Sequence, residues 1–555
     1  MQLRAIKHIA SVILFFLISI VPIKAKSARF RAMWISDPAT SMVIGWDQVS
    51  GIQPVVYYGA TDHGKNFEAY KFRQNPDKVV KAKGMNNHFV RLGNLQPNTV
   101  YYFVVVDNEG VSRRMSFKTT PNNINQRLSI IAGGDSRNNR DARIDANKLV
   151  SKLRPDFILF SGDMTADDTH TQWKTWFDDW QLTIGSDGRL FPIIVARGNH
   201  EGTNIQMLEL FDVKSEGVFY GLSFGGNLLR VYTLNTLVPS GGNQKIWLET
   251  DLQDNKNKIW KIAQYHQAIR PHTDSKPELN ELLINWATLF NKYHVDIALE
   301  SDAHVVKWTW PIRPSREEGS EEGFIRDDAR GTVYLGEGGW GAPLRVNNDD
   351  KSWTRNSGSF NQFKWVFVDQ YHIEVRTIPT KDSEKVAEVR DDNRFALPRG
   401  LNVWSPSNGD VLTLVNRNAP PPPEPEVLAD YPTTNPGGKS PLEEEPFDGR
   451  QGEEKKMENT PAGEEPKGPE GPVKWLNLDP KNKSVKIRYN LTEIAEVDII
   501  IIDNKLQEVT RASLKNQDPG PYIKNLDFSK IPNGGYLIVI KGNGKVVVRY
   551  RVKKG

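Results

Sequence analysis

The sequence predicts a multidomain protein with an N-terminal β-sandwich, a central α/β domain and a small C-terminal β-sandwich. Three observations support this division. Short β-branched and aromatic runs separated by turn residues fill residues 28–120, whereas apolar runs alternate with helical patterns over residues 126–412. A stretch rich in proline and glutamate over residues 420–472 then separates the central region from β-type runs over residues 473–555.

Composition restricts the classes of function that the chain can have. Its 555 residues are 38% hydrophobic and 25% charged, which is typical of folded globular domains. A net charge of +4 is too small for this length to indicate a nucleic-acid-binding protein. Cysteine is absent, which excludes thiolate nucleophiles, disulfides and cysteine-based zinc sites. Any metal site must therefore use His, Asp, Glu or Asn.

The N-terminus has the pattern of a secretory signal peptide over residues 1–25. Arg4 and Lys7 supply positive charge, and Ala25 offers a small residue at a cleavage point. The apolar run over residues 9–20 is shorter than the roughly 20 residues that span a bilayer. An uncleaved anchor helix is the alternative. We expect the mature protein to be secreted, periplasmic or attached to the cell surface.

The region over residues 28–120 is expected to form a sandwich of roughly seven strands, the number typical of immunoglobulin-like folds. Strand-like runs occur at residues 31–35, 41–46 and 55–59, with the turn residues Asp, Asn, Gly and Pro between them. The spacing Leu-x-Pro-x-Thr-x-Tyr-x-Phe over residues 95–103 resembles the corner of fibronectin type III domains.

Two segments of the central region have helical periodicity. Residues 144–153 form one predicted helix. The second contains Trp173, Trp176 and Trp180, and this aromatic stripe at helical spacing indicates core packing rather than a platform for a ligand. In residues 420–472, acidic side chains outnumber basic ones and large apolar residues are almost absent, which predicts an extended, disordered linker.

Five strand-like runs of the central region each end in side chains that can bind a metal ion. Because ligands bind at the carboxyl ends of the strands in an α/β sheet, we expect these side chains to meet at one rim. Carboxylate, imidazole and amide donors suit iron, manganese or zinc, and a carboxylate can bridge two ions. The side chains are those of Asp135, Asp163, Asn199, His200, His266, Asp302 and His304.

This ordered set of motifs resembles the calcineurin-like metallophosphoesterase superfamily, and the preceding sandwich favours its purple acid phosphatase branch. The resemblance implies a four-layer α/β/β/α fold for the central domain and two divalent or trivalent metal ions, either iron, manganese or zinc. It also implies hydrolysis of phosphate monoesters by a metal-bound hydroxide. The motifs are Gly134-Asp135, Gly162-Asp163, Gly198-Asn199-His200-Glu201, His266 and Asp302-Ala303-His304.

The resemblance also assigns roles to the metal ligands. Asp135 and His304 would hold the first ion. Asp163 would bridge the two ions, and Asn199 and His266 would hold the second one.

Three further residues are candidates for catalysis or substrate binding. His200 matches the family histidine that lies beside the phosphate and protonates the leaving group. Arg137, two residues after Asp135, is a candidate contact for a phosphate oxygen, with a surface salt bridge as the alternative. His272 could face the substrate or be an ordinary loop histidine.

Two positions depart from the family pattern. The purple enzymes have Gly-Asp-x-x-Tyr where this chain has Ala166 in place of the tyrosine, so no charge-transfer colour is expected. Ser301 and Asp302 stand in place of Gly and the first His of Gly-His-x-His. Asp302 can ligate an ion, but its shorter side chain could bond to water instead, and loss of the second metal is the rival interpretation.

Other functions stay open on the sequence alone. One is hydrolysis of phosphodiesters or nucleotides, and another is a non-catalytic surface protein with an impaired metal site. Residues 473–555 weakly resemble the sorting domains that some Gram-negative bacteria use for export across the outer membrane, with a generic β-sandwich module as the alternative. We expect a phosphate ester as substrate, no nucleic acid as partner, and export machinery as a partner of a sorting domain.

Overall fold

The structure is a computed structural model that describes residues 27–416, 474–476, 484–491, 495–503, 507–517, 520–543 and 545–554. The chain divides after Asn416 into two compact units, which are considered separately. The predicted signal peptide over residues 1–25 and the predicted linker over residues 420–472 lie outside the described residues. Among the described residues, no helix combines the length and the hydropathy needed to cross a membrane.

The first unit begins with a β-sandwich of two antiparallel sheets. The sheets have the orders β1-β2-β6-β5 and β4-β3-β7-β8, and β9 also pairs with β7. The strands are β1 (Ser27–Met33), β2 (Met42–Gln48), β3 (Val55–Gly59), β4 (Phe72–Gln74), β5 (Lys78–Ala82), β6 (Met85–Leu92), β7 (Val100–Asp107), β8 (Gly110–Val111) and β9 (Met115–Lys118).

The sandwich has more strands than the sequence pattern predicts. Strands β4 and β8 are three and two residues long. Runs of that length show no apolar alternation, so the expectation of roughly seven strands missed them. The predicted corner is present, because the backbone N–H of Gln96 donates to the hydroxyl of Tyr101 at 2.9 Å. Such a bond is the tyrosine corner of immunoglobulin-like sandwiches.

The central α/β region contains fifteen strands and six helices in the described residues. In chain order they are β10 (Leu128–Gly133), α1 (Arg140–Leu153), β11 (Phe157–Phe160), α2 (His170–Trp180), β12 (Ile193–Val195), α3 (Asn204–Phe211), β13 (Tyr220–Phe224), β14 (Leu229–Thr233), α4 (Gly242–Asp254), β15 (Trp260–Gln267), α5 (Asn280–Leu282), α6 (Thr288–Tyr293), β16 (Ile297–Ser301), β17 (Val306–Thr309), β18 (Ile312–Pro314), β19 (Phe324–Arg326), β20 (Val333–Gly336), β21 (Thr354–Gly358), β22 (Gln362–Val368), β23 (His372–Pro379) and β24 (Leu412–Val415).

These strands form two large mixed sheets. The first has the order β12-β11-β10-β22-β23-β24, with β10, β11 and β12 parallel. The second has the order β13-β14-β15-β16-β20-β17-β21, with β14, β15, β16 and β20 parallel. A π-helical turn at Leu283–Ala287 joins α5 to α6. Five of these parallel strands, β10, β11, β12, β15 and β16, carry the predicted metal ligands at or just beyond their carboxyl ends.

The two sheets pack face to face and helices cover their outer faces. Ile130 of β10 and Ile262 of β15 belong to one apolar core between the sheets. Helices α1, α2 and α3 pack on the outside of the first sheet, whereas α4 and α6 pack on the second. This is the four-layer α/β/β/α architecture that the resemblance implied. The sandwich shares the same core, since Trp34 contacts Phe157 with ring centroids 6.1 Å apart.

Helix α1 is longer than its periodicity predicts. It begins at Arg140, before the expected start at Ile144, and ends at Leu153 as expected. The additional turn is polar, because Arg140 and Arg143 pair with Asp179 of α2 at 2.8 and 2.5 Å. The periodic spacing of apolar residues therefore does not reveal this first turn of α1.

The tryptophan stripe of α2 lies in the core, as predicted. Trp173, Trp176 and Trp180 are at most 2% exposed. The rings of Trp176 and Trp180 stack with centroids 4.9 Å apart. The indole N–H of Trp176 also donates to Ser136 Oγ at 2.9 Å, next to a predicted metal ligand. The stripe thus supports the loop that begins the site.

The second unit is rich in β structure. Its strands are β25 (Lys474–Leu476), β26 (Ser484–Leu491), β27 (Ala495–Asp503), β28 (Glu508–Gln517), β29 (Gly520–Asp527), β30 (Gly534–Gly542) and β31 (Lys545–Lys554). They form a sheet of order β25-β31-β30-β27-β28 and a hairpin-like pair β26-β29. Val485, Ile499 and Ile538 share one apolar core. The predicted C-terminal β module is confirmed, and its role in export stays a prediction.

We expect Trp176→Ala to lower the free energy of unfolding by about 3–5 kcal/mol, because it leaves a large cavity and removes the bond to Ser136. Urea denaturation of the full chain, followed by tryptophan fluorescence, measures the shift. Ile246→Ala on α4 is the control, since Ile246 is 66% exposed and its truncation changes stability by less than about 0.5 kcal/mol. Equal midpoints for the two variants would show that the stripe does not stabilise this unit.

Candidate metal centre

The predicted ligands follow the carboxyl ends of parallel strands in both sheets. Strand register aligns Gly133, Phe160 and Val195 at the end of the first sheet. Asp135 and Asp163 come two and three residues beyond the ends of β10 and β11. The facing sheet contributes the ends of β15 and β16, so both sheets supply side chains to one rim.

Four of these side chains stand on left-handed backbone. The φ angles are 58° at Asp135, 56° at Asp163, 68° at Asp302 and 54° at His304. Asp, Asn and His tolerate this region better than other residues with a Cβ, at a cost of order 1–3 kcal/mol each. Backbone strain of this kind clusters at functional sites, where it aims side chains.

The first group of ligand atoms comes from Asp135, Asp163 and His304. These atoms lie within 4.8 Å of one another, and all three residues are buried. His304 Nε2 is 3.0 Å from Asp135 Oδ1. The other ring nitrogen, Nδ1, lies 2.7 Å from the carbonyl oxygen of Pro343, where only an N–H can bond. That bond leaves the Nε2 lone pair of a neutral ring for a metal.

The second group comes from Asp163, His266 and Asp302, again within 4.8 Å and buried. His266 Nδ1 lies 2.8 Å from the carbonyl oxygen of Ser161, so it is the donor nitrogen. Its Nε2 is 3.0 Å from Asn199 Oδ1, 3.4 Å from Asp163 Oδ1 and 3.5 Å from Asp302 Oδ1. Asn199 therefore joins the second group through its amide oxygen.

Asp163 belongs to both groups. Its Oδ1 accepts the backbone N–H of His200 at 2.9 Å, whereas its buried Oδ2 has no hydrogen-bond partner among the described residues. A buried carboxylate oxygen without a partner is costly, and a metal ion would satisfy it. The oxygen and nitrogen donors of both groups suit iron, manganese or zinc. The residues present thus fit a pair of metal ions bridged by Asp163.

The electrostatics of the site favour added positive charge. Burial favours the neutral form of His266, yet the carboxylates of Asp163 and Asp135 raise its pKa well above the ordinary value. Burial likewise opposes ionisation of Asp163, but the charge of His266 lowers the pKa of that carboxyl below the ordinary value. Metal ions at these groups would supply the charge that His266 supplies with a proton.

Asp302, which stands where the family pattern has His, lies inside the second group. Its backbone N–H donates to Asp135 Oδ2 at 3.0 Å. Its Oδ1 forms an ion pair of 2.5 Å with Lys276. Burial opposes ionisation, but the charges of His266 and Lys276 hold the pKa of Asp302 well below its ordinary range. The shorter side chain therefore does not remove this position from the site.

Glu201 is a positioning residue whose role the sequence did not reveal. Its buried carboxylate accepts backbone N–H bonds from Gly198 at 2.7 Å, Asp163 at 3.0 Å and Met164 at 2.7 Å. Burial, together with the charge of Asp163, raises its pKa to about 7. It holds the two ligand loops together. Gly198 is needed there, since a Cβ would lie 2.2 Å from Asp163 Oδ1.

A buried ion cluster supports the other side of the centre. Lys307 forms ion pairs with Glu300 at 2.5 Å and with Glu337. Glu300 accepts a bond from the hydroxyl of Tyr265, the residue before His266, at 2.8 Å. The carbonyl of Glu337 accepts a hydrogen bond from the backbone N–H of His304 at 2.7 Å. These contacts hold the segments at the ends of β15 and β16, which carry His266 and His304, and no local motif signals them.

His200 lies at the open side of the centre. Its side chain is 26% exposed, and its Nε2 is 3.8 Å from Asp163 Oδ2. Its Nδ1 bonds to the carbonyl oxygen of Ala166, so Nδ1 carries a hydrogen. Nε2 is thus the nitrogen that faces the metal ligands and can exchange a proton.

The structure brings one of the two predicted substrate contacts to the centre. The backbone N–H of Arg137 donates to the carbonyl of Asp163 at 3.3 Å, and its buried Nε has no hydrogen-bond partner among the described residues. His272 lies outside both ligand groups. Its ring is fully buried, and Nε2 bonds to Thr354 Oγ1 at 2.7 Å. That geometry does not support a substrate contact for His272, and its place in Arg270-Pro271-His272 could not show this.

A third acidic group, made by Glu278, Glu322 and Asp349, lies elsewhere in the unit. The ammonium group of Lys351 is 2.6 Å from Asp349 and 3.3 Å from Glu322. Arg270 also pairs with Glu278 at 3.6 Å, so each of the three carboxylates already has a cationic partner and the group is an ion cluster.

Two family models match the chain. Residues 28–119 match the purple acid phosphatase N-terminal domain, and residues 130–306 match the calcineurin-like phosphoesterase domain. Among curated relatives, an uncharacterised protein of Mycobacterium tuberculosis is 24% identical over 369 residues, which cover 56% of this chain and 68% of that protein. Acid phosphatase type 7 of Mus musculus is 24% identical over 318 residues, 51% of this chain and 71% of that protein.

Solved structures share the fold. A purple acid phosphatase from yellow lupin (Lupinus luteus) seeds has a TM-score of 0.54 and 16% sequence identity, covering 70% of this chain and 74% of that one. Domain order, the four-layer architecture and the ordered ligand motifs all agree with these matches. The chain therefore has a purple acid phosphatase N-terminal domain followed by a calcineurin-like phosphoesterase domain, and in this domain order it resembles the purple acid phosphatases.

Proposed function

We propose that this protein hydrolyses phosphate monoesters at a centre of two metal ions. The observation that carries the proposal is the sharing of Asp163 by two buried ligand groups. A shared carboxylate is the arrangement that holds two ions about 3.5–4 Å apart. Asp135 and His304 complete the first site. The second site is completed by Asn199, His266 and Asp302.

The chain's own side chains would handle the substrate. When bound, the two ions neutralise phosphate charge and lower the pKa of a water molecule. His200 Nε2, on the open side, donates a proton to the leaving oxygen as the phosphorus–oxygen bond breaks. The oxygen of water forms the new bond to phosphorus and releases its proton to bulk solvent, from which Nε2 is protonated again. Arg137 binds a phosphoryl oxygen through its guanidinium. General acid catalysis of this kind contributes about 10²–10⁴ in rate.

The proposal for monoesters over diesters is supported by the acid phosphatase named among the relatives. Assays on an aryl phosphate and on the matching diaryl diester separate the two. A higher kcat/KM on the diester would favour the phosphodiesterase alternative.

We expect Asp163→Asn to lower kcat for 4-nitrophenyl phosphate by a factor of at least about 10², because charge at both metal sites is lost.

The His200→Ala substitution should lower activity most on a substrate with a poor leaving group. Its loss should approach about 10²–10⁴ for an alkyl phosphate and be smaller for 4-nitrophenyl phosphate, whose leaving group needs little protonation. His170→Ala, which changes an exposed histidine of α2, is the control. Equal losses on both substrates would remove His200 from the role of general acid.

Metal analysis of the purified full chain should find two ions per molecule. Asp302→Ala should lower the count towards one, because the second group loses a carboxylate.

Removal of both ions by a chelator should abolish turnover, and added metal should restore it. The loaded protein should be colourless, since Ala166 replaces the tyrosine of the purple enzymes. A chain that retains no ion would favour the non-catalytic alternative.

We further propose that the protein is exported. The support is the signal-peptide pattern over residues 1–25, and the C-terminal β module is the candidate contact for outer-membrane export machinery. N-terminal sequencing of the mature protein should begin close after Ala25, and cell fractionation should find it outside the cytoplasm. An intact N-terminus on cytoplasmic protein would contradict export.

A further inference from the structure

Asp302 is held by two cations that come from different loops. The ammonium group of Lys276, in the loop between β15 and α5, is 2.5 Å from Asp302 Oδ1. Arg345, in the loop between β20 and β21, donates from Nη1 to the carbonyl oxygen of Asp302 at 2.6 Å. Both cations therefore lie at the residue that departs from the family pattern.

The loop that carries Lys276 is fixed in place. The backbone N–H of Asp274 donates to Asn348 Oδ1 at 3.1 Å, and that of Asn348 donates to the carbonyl of His272 at 3.3 Å. Lys351 also donates to the carbonyl of Pro271 at 3.0 Å. These hydrogen bonds connect the loop that carries Lys276 to the loop that carries Arg345.

The partner atom of Lys276 is also a ligand candidate. Asp302 Oδ1 is 3.5 Å from His266 Nε2 and belongs to the second ligand group. The side chain of Lys276 is 20% exposed and that of Asp302 is 8% exposed. The ammonium group thus contacts a ligand candidate of the second group and belongs to a side chain that is more exposed to solvent than Asp302.

Charge explains why a lysine belongs there. A neutral histidine at position 302 adds no charge, whereas Asp302 adds a negative charge that opposes binding of an anion. The charge of Lys276 cancels it at a separation of 2.5 Å. Like charges repel, so the same ammonium group disfavours a cation at the second site.

We infer that Lys276 is a specificity-determining residue of the centre: it binds a phosphoryl oxygen of the substrate and weakens the hold of the chain on the second metal ion. The preferred substrate is then a dianionic monoester, which meets Lys276 together with the guanidinium groups of Arg137 and Arg345. The substrate part of this inference rests on the proposed function. The part that concerns metal affinity does not.

Three variants of the full, metal-loaded chain test the inference. Lys276→Met removes the charge, Lys276→Gln keeps a hydrogen-bond donor without the charge, and Lys276→Arg keeps the charge. Lys292→Met is the matched control, because Lys292 forms a similar ion pair with Glu249 on an exposed surface, at 2.6 Å. Calorimetry with inorganic phosphate measures anion affinity, and competition with a graded chelator measures retention of the second ion.

Lys276→Met and Lys276→Gln should weaken phosphate binding about tenfold or more, the usual effect of losing a bond to a charged group. Both should retain the second ion at higher chelator concentrations than the wild-type chain. The KM for a monoester should rise more than kcat falls, and a monoanionic diester should lose less. Lys276→Arg should restore most of the phosphate affinity, and the Lys292→Met control should match the wild type.

Unchanged phosphate affinity and unchanged metal retention in both charge-removing variants would overturn the inference, as would equal changes in the Lys292→Met control. If circular dichroism shows that Lys276→Met does not fold, the measurements on Lys276→Gln test the inference instead. A wild-type chain that hydrolyses no phosphate ester would overturn the proposed function. Phosphate affinity and metal retention of the variants would still decide the role of Lys276.

Discussion

The buried carboxylate of Asp163 is the group on which the arrangement of the centre depends. It lies where the carboxyl ends of strands from the two sheets meet, it belongs to both ligand groups, and its Oδ2 has no hydrogen-bond partner among the described residues. Such a group is stable only if other elements hold the chain around it and a cation satisfies it. Glu201 binds its backbone N–H, and the N–H of His200 binds its Oδ1. Most other features of the site follow from this requirement.

The layers of the fold provide that support. Helix α2 places its tryptophans against the first sheet, and Trp176 bonds to Ser136, the neighbour of Asp135. On the second sheet, Lys307 and its two glutamates tie together the segments that carry the remaining ligands. Left-handed backbone at the ligand positions is tolerated because these contacts over-determine it. The scaffold is thus rigid where the ligands are attached, which is what a pair of metal ions requires.

The charge of the centre depends on charged residues that surround its carboxylates. The positive charges of His266, Lys276 and Arg345 lie close to the three buried carboxylates of the centre. Asp at position 302 adds a negative charge, and the positive charge of Lys276 beside it offsets that charge. Asp302 and Lys276 lie at the second ligand group, whereas Asp163 belongs to both groups. Differences in metal retention and substrate charge are therefore expected to arise at this position.

The sequence by itself determined the strand ends and the ligand candidates, because each of these is a local pattern: an apolar run followed by a polar residue at a turn. The four-layer order followed only from the resemblance to a family. The sequence also indicated that the tryptophans of α2 are core residues. Only the tertiary structure decided how Glu201 is used, that His272 bonds to Thr354, and that Lys276 and Arg345 meet Asp302. Lys276 is 26 positions from Asp302 and Arg345 is 43 positions from it, on loops without periodicity. The first turn of α1 and the shortest strands were missed for a related reason, since polar pairs and edge pairing stabilise them rather than an apolar pattern.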